Sequence, residues 1–103
     1  MINLVVTMIV KSGKMDEFLA ECGKLRPFVL EEKGCIAYDY SREISSPIPI
    51  QETVNPDRVT LVERWESMED LAAHMNAPHM KKYGPRISAL RESVSARVME
   101  PLF

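Results

Sequence analysis

From Ile2 to Val10 the chain alternates with a period of two: Ile2, Leu4, Val6, Met8 and Val10 on one side, Asn3, Val5, Thr7 and Ile9 on the other. That pattern predicts a strand with one wholly apolar face and one partly apolar face, so both faces are expected to be covered. Past the turn at Ser12-Gly13 the period lengthens. Met15, Phe18, Leu19, Cys22, Leu25 and Val29 recur at three and four, which describes an amphipathic helix over about Lys14 to Glu32. Pro27 cannot donate to the carbonyl of Gly23, so a kink is expected there. Gly34 reads as the left-handed residue that closes the helix. The period of two then resumes from Cys35 to Glu43, with Ile36, Tyr38 and Tyr40 on one side and the two tyrosines as neighbours.

Residues 44–57 hold three prolines and no sustained period, and predict a long connection that is either a lid or simply mobile. A third strand follows from Arg58 to Glu66, with Val59, Leu61, Glu63 and Trp65 sharing a face. Ser67 and Asp70 have the spacing of a capping box with the shorter acid, opening a brief helix to about Asn76. Pro78 suits the first turn of a second helical piece reaching about Leu90, with a break expected at Gly84-Pro85. Val94, Ala96, Val98 and Leu102 alternate in a last strand, and Pro101 marks it as an edge or as a crossing to a second subunit. The order strand, helix, strand, strand, helix, strand predicts an α+β domain spanning residues 1–103. Its four-stranded antiparallel sheet carries the helices on one face and pairs the other with a second copy.

Composition narrows the partners. Thirteen basic residues against fifteen acidic give a formal charge of -2, with no basic stripe to follow a phosphate backbone, so nucleic acid is not an expected partner. The apolar opening stretch has about half the length that spans a bilayer and lacks a basic leader, so neither a membrane nor export is expected. Cys22 and Cys35 lack metal-ligand spacing and suit a reducing cytoplasm.

Chemistry concentrates between Leu61 and Tyr83, where Glu63, Trp65, His74, His79 and Tyr83 fall within about twenty residues. A carboxylate alternating with apolar residues, as Glu63 does, must find a partner or titrate upward. His74 closes the first helical piece, where its cation would suit the helix dipole, and imidazole is the side chain that titrates near neutrality. His79 lies five residues on, across Pro78. A zinc pair on one continuous helix needs a spacing of four, so no metal site is expected. Trp65 also suits a core anchor, and Met68, Met75 and Met80 suit adaptable packing.

The K-x-G-K turn after the first strand, EEKGCIAYDY at Glu31 to Tyr40 and VERWESMEDLAAHMNAPH at Val62 to His79 together resemble the antibiotic biosynthesis monooxygenase family. The resemblance implies a ferredoxin-like βαββαβ fold that dimerises into an α/β-barrel. It also implies a cofactor-free oxygenation of small hydroquinone or polyphenol-type metabolites by dioxygen. In that scheme His74 is the base, with His79 second. Trp65 and Tyr83 line an apolar slot that also presents Glu63, Arg86 or Asn3 holds an oxyanion, and Tyr38 with Tyr40 adds hydrogen bonds if their face looks into the same cavity. The family's haem-degrading branch carries an Asn, a Trp and a His at places held here by Val6, His74 and Gly84, so that reading loses its ligand. An isomerase of the autoinducer-processing kind and a non-catalytic dimeric binding domain remain as alternatives. An enzyme requires His74, Trp65 and a titratable partner to converge on one pocket, whereas a binding domain would pack or scatter them.

Overall fold

A computed structural model describes residues 1–103. The elements are β1 (Ile2–Val10), α1 (Met15–Leu30), β2 (Cys35–Arg42), β3 (Arg58–Trp65), α2 (Met68–Met75), α3 (Pro78–Ala89) and β4 (Arg91–Met99). The strands form one open antiparallel sheet in the order β2-β3-β1-β4. This is the ferredoxin-like α+β arrangement, with the predicted edge position for β4. The helices lie on one face, against Leu4, Val6, Met8 and Val10 of β1 and Val59, Leu61 and Trp65 of β3. Within one chain the helices cover one face of β1, and its alternate face stays half-exposed.

Register carries most of what positions the site. On the helix-facing side, Tyr38, Glu63, Leu4 and Val98 form one row across the sheet. Tyr40, Leu61, Val6 and Ala96 form the next, and the row of Val59, Met8 and Val94 follows. Two irregularities modify the simple alternation. Between Cys35 and Ala37 the β2 register shifts, which turns Cys35 toward Trp65 and leaves Ile36 exposed, so Ile36 does not share the face of the two tyrosines. An extra residue at a bulge reverses the parity on one side of it. A second shift, between Ile9 and Val10, sets Arg91 opposite Val10 and makes Glu92 the extra residue of β4.

Both internal prolines are accommodated. α1 runs unbroken through Pro27, and α3 continues through Gly84 and Pro85 without the expected break. Loss of one hydrogen bond at Pro85 is offset by burial of Tyr83 and Ile87 on either side of it. β4 ends at Met99, so Leu102 lies beyond the strand and is exposed. The connection over residues 44–57 is tied at its base: Glu43 accepts hydrogen bonds from the Asn55 backbone amide at 2.9 Å and from Arg58 Nη1 at 2.9 and 3.2 Å.

The turn after α1 depends on Gly34, whose φ is +83°, and a Cβ built there would overlap the Asp70 side chain at the start of α2. Gly34→Ala is therefore expected to combine backbone strain with a steric clash. The cost should be about 2 kcal/mol or more, roughly a 10 °C fall in Tm by calorimetry. An unchanged Tm would show that this turn adapts freely.

Candidate functional site

Three chain segments converge beneath the helices. α2 opens at Ser67, whose Oγ accepts from the Asp70 amide at 3.1 Å, and its inward face buries Leu71 and His74. Asp70 makes no return bond to Ser67; its carboxylate lies against Gly34, so only half of the capping box forms. Pro78 at the start of α3 then redirects the chain, bringing His79 back toward the same point. That point is Glu32, in the turn that ends α1. One carboxylate oxygen, Oε2, lies 2.7 Å from His74 Nδ1 and 2.8 Å from His79 Nε2.

A carboxylate only accepts, so both imidazoles present N–H to it, and this settles the His74 tautomer. With Nδ1–H given to Glu32, Nε2 of His74 keeps its lone pair and has no hydrogen-bond partner within the chain. The ring packs against Trp65 at 4.7 Å between centroids and meets Tyr38 edge to face at 5.6 Å. Trp65 is completely buried, and its Nε1–H donates to Glu63 Oε1 at 3.0 Å. Burial pushes the Glu63 carboxyl above its ordinary range, opposed by the Trp65 hydrogen bond and, once the His74 ring takes a proton, by its charge. Burial likewise raises the Tyr38 and Tyr40 phenols and lifts the Cys22 thiol to about 11. The tyrosine rings meet edge to face at 5.6 Å, as neighbours on one side of β2 should.

These groups border a cavity of about 460 Å3 between the sheet and the helices, within the roughly 300–1,000 Å3 of small-molecule sites. Its walls are mainly apolar, from Leu4, Val6, Met8, Leu61, Leu71 and Ile87, with Met75 and Met80 along the helical side. Val94, Ala96 and Val98 of the edge strand complete it. Polar groups enter at few points: Glu63, His74, Tyr38, Tyr40 and Arg91. No residue of the 44–57 connection lines it, so that segment is not a lid in this structure.

The predicted site residues separate into two sets. His74, Glu63 and Tyr38 border the cavity, and Trp65 packs directly behind His74 and Glu63. His79 braces Glu32 from the outer side and stacks on Phe28 at 5.8 Å. Tyr83 is buried in the α1–α3 seam, 6.3 Å from the Phe28 ring. Arg86 is largely exposed, over Tyr83 and 3.9 Å from Glu21. Asn3 occupies the opposite face of the sheet, where its Oδ1 accepts from Arg64 Nε at 2.8 Å. Neither Arg86 nor Asn3 reaches the cavity, because α3 turns the first outward and strand parity turns the second away.

Two residues escape a sequence reading. Glu32 carries no local signal, since its partners are 42 and 47 residues away. Arg91 is hidden by the bulge, because plain alternation from Val94 would turn Glu92 inward instead. Glu32, His74 and His79 also place three donor atoms within 4.8 Å of one another. Helical spacing argued against such a set; the turn at Pro78 assembles it from different elements. Its two separations of 2.7 and 2.8 Å are those of hydrogen bonds.

Glu63 gives a pH-dependent signature. Its folded pKa is raised, so the stability it contributes is fully present below the ordinary carboxylate range and is lost as pH rises through the folded value. Glu63→Gln keeps an acceptor for Trp65 without the charge. Thermal unfolding from pH 4 to 8 should show the variant gaining on the parent by a few degrees toward pH 8. Parallel curves would mean that Glu63 is not titrating in that window.

Comparison with known proteins adds an independent line. The family model described as antibiotic biosynthesis monooxygenase matches residues 1–86. The chain is 31% identical over 91 residues to the probable quinol monooxygenase YgiN of Escherichia coli K12, covering 88% of this chain and 83% of the relative. Among solved structures, a conserved protein from Methanosarcina mazei Go1 superposes with a TM-score of 0.83 at 27% identity, covering 96% of this chain and 90% of that one. Rv0793 from Mycobacterium tuberculosis gives a TM-score of 0.83 at 19% identity, covering 99% and 95%, and shows the shared fold.

Proposed function

Because this chain belongs to the antibiotic biosynthesis monooxygenase family, we propose that it is a small-molecule monooxygenase acting on hydroquinone or polyphenol-type aromatics, without a bound cofactor. The observation that carries the proposal is the meeting, on one mainly apolar cavity, of a partnerless imidazole nitrogen and a buried carboxyl. Ground-state dioxygen reacts slowly with closed-shell organics, so the protein's task is to make the substrate electron-rich. His74 Nε2 takes a phenolic proton as general base, while Glu32 fixes the ring and stabilises the imidazolium that forms. Tyr38 offers a hydroxyl to the developing oxyanion, in the way preorganised donors act elsewhere. Glu63 and Trp65 hold the back of the imidazole, and His79 holds Glu32.

The electrons balance without a helper group. A hydroquinone and one dioxygen give a hydroxyquinone and one water: one oxygen atom converts a ring C–H into C–OH, and the other leaves as water with the two hydrogens of the hydroquinone hydroxyls. Both electron pairs come from the substrate, one in oxygen insertion and one in the oxidation of hydroquinone to quinone.

The proposal includes a homodimer. On the outer face of the sheet, Val5 and Ile9 are half-buried and Val62 and Met99 exposed, an apolar patch that a second copy would cover while closing the sheet into an α/β-barrel. It is there that Asn3 could serve, and Tyr83 and Arg86 remain candidates only from a dimer. No helix is long and apolar enough to cross a membrane, and the two free thiols suit the cytoplasm proposed for the protein.

The test is oxygen uptake by metal-stripped protein on a panel of hydroquinones and polyphenols, corrected for autoxidation, with 18O2 and mass analysis of the product. One labelled oxygen in the product and catalysis above background support the reading. Tight binding of the same compounds with no enzymatic uptake would replace it with the binding-domain alternative.

A further inference from the structure

The cavity has a second polar end that the base chemistry does not use. Arg91 lines it opposite the Glu63 and His74 end, and the bulge at Ile9 and Val10 is what turns it inward. Its recorded side-chain contact is a donation from Nη1 to the sulfur of Met8 at 3.8 Å, a weak acceptor. No carboxylate of the chain lies within ion-pair distance of it. The contrast with other arginines is direct: Arg58 is gripped by both oxygens of Glu43, and Arg26 pairs with Asp39 at 2.9 Å. Glu21, which like Arg91 acts on the Cys22 thiol, lies 3.3 Å from Lys24 and 3.9 Å from Arg86.

A half-buried guanidinium facing apolar walls keeps several N–H groups without a strong acceptor, and planar carboxylates match that fork in bidentate fashion. The geometry points to Arg91 as an anion-binding subsite, so that the substrate is a hydroxyaryl carboxylate with its acidic group remote from the hydroxyl presented to His74. The identity of the reacting end rests on the function proposed above; the anionic end does not.

Length narrows the class further. Arg91 contacts Met8, whereas Glu63 lies opposite Leu4, four residues away along β1. At ~3.3 Å per residue Leu4 and Met8, the strand positions beside Glu63 and beside the guanidinium, are ~13 Å apart. Allowing ~2.8 Å for a hydrogen bond at each end leaves ~7–8 Å between hydroxyl and carboxylate oxygens. That span is closer to a fused two-ring hydroxyaryl carboxylate than to a single benzene ring, and the 460 Å3 cavity has room for two flat rings.

Equilibrium binding under anaerobic conditions tests this without any turnover, using 6-hydroxy-2-naphthoate and its uncharged counterpart 2-naphthol as fluorescent probes. The parent protein should prefer the carboxylate by about 10- to 100-fold at low salt, as expected for a charge-assisted pair. Arg91→Met, which keeps an apolar stem, should lose that preference while still binding 2-naphthol, and Arg91→Lys should recover part of it. Thermal unfolding of each variant confirms that it is folded. An equal preference in parent and Arg91→Met, no preference in the parent, or no binding of either probe would overturn the subsite. A carboxylate preference that depends on Arg91, joined to an absence of oxygen uptake on 5,8-dihydroxy-2-naphthoate, a hydroquinone whose carboxylate lies on the other ring, would keep the subsite and sink the oxygenase function instead.

Discussion

His74→Ala is expected to lower kcat on an accepted hydroquinone by about 100- to 10,000-fold, the range associated with loss of a positioned general base. Three observations set that expectation. His74 is almost completely buried yet borders the cavity, its Nδ1 is committed to Glu32, and its Nε2 has no partner in the chain. Truncation to Ala also leaves a void beside Trp65 and Tyr38, with an expected stability cost of about 2–3 kcal/mol. His74→Gln separates the two effects, because it retains most of the volume and cannot act as a base. Both variants should lose turnover, and His74→Gln should unfold at a temperature much nearer the parent's. Glu32→Gln should act more mildly, since an amide can still orient the imidazole but stabilises its cation less. Retained turnover in His74→Gln would remove the base from His74, whatever the stability of the Ala variant.

Trp65→Ala should be the most damaging substitution for the fold, costing about 3–5 kcal/mol. That is a large share of the roughly 5–15 kcal/mol by which a domain of this kind is stable. Trp65 is fully buried at the end of β3, faces Cys35 across the bulge and backs the His74 ring. Its removal opens a core cavity and also strips Glu63 of its recorded donor. Trp65→Phe isolates the second effect: the ring remains, the Nε1–H does not, and a buried carboxyl loses the one hydrogen bond that opposes its upward shift. The expected cost is about 1–3 kcal/mol at neutral pH, shrinking as pH falls and Glu63 becomes protonated. Denaturant unfolding at pH 5 and pH 8 reads both quantities. A Trp65→Phe cost independent of pH would mean that its hydrogen bond to Glu63 does not govern the carboxyl.

Much of the domain is legible in one dimension because its main determinants are local and periodic. The alternation in β1 and β3, the three-four spacing in α1, Ser67 as a helix cap, Pro78 as a helix start and Gly34 as a left-handed residue each follow from side-chain and backbone rules acting over a few residues. Together they specify the element order and hence the antiparallel sheet. They also place Glu63 and Trp65 on one strand face, whereas His74 stands out by residue type at the end of a helix, and its inward orientation comes from the packed structure. The prolines at 27 and 85 mark the limit of local rules. Each removes one hydrogen bond, but whether a helix breaks there depends on the burial of its neighbours, which is a property of the packed molecule.

What only the tertiary structure decides is how those pieces meet. Glu32 becomes the shared acceptor of two histidines because the end of α1 docks where α2 stops and α3 begins, a juxtaposition no spacing within 42 residues of chain encodes. Two single-residue bulges reverse strand parity, exposing Ile36 and turning Arg91 rather than Glu92 into the cavity. Asn3 and Arg86, plausible by residue type, fall outside the cavity because orientation comes from sheet parity and helix rotation rather than from chemistry. Periodicity is a short-range property and survives in sequence. Convergence of distant side chains is set by packing, and exists only once the chain has folded.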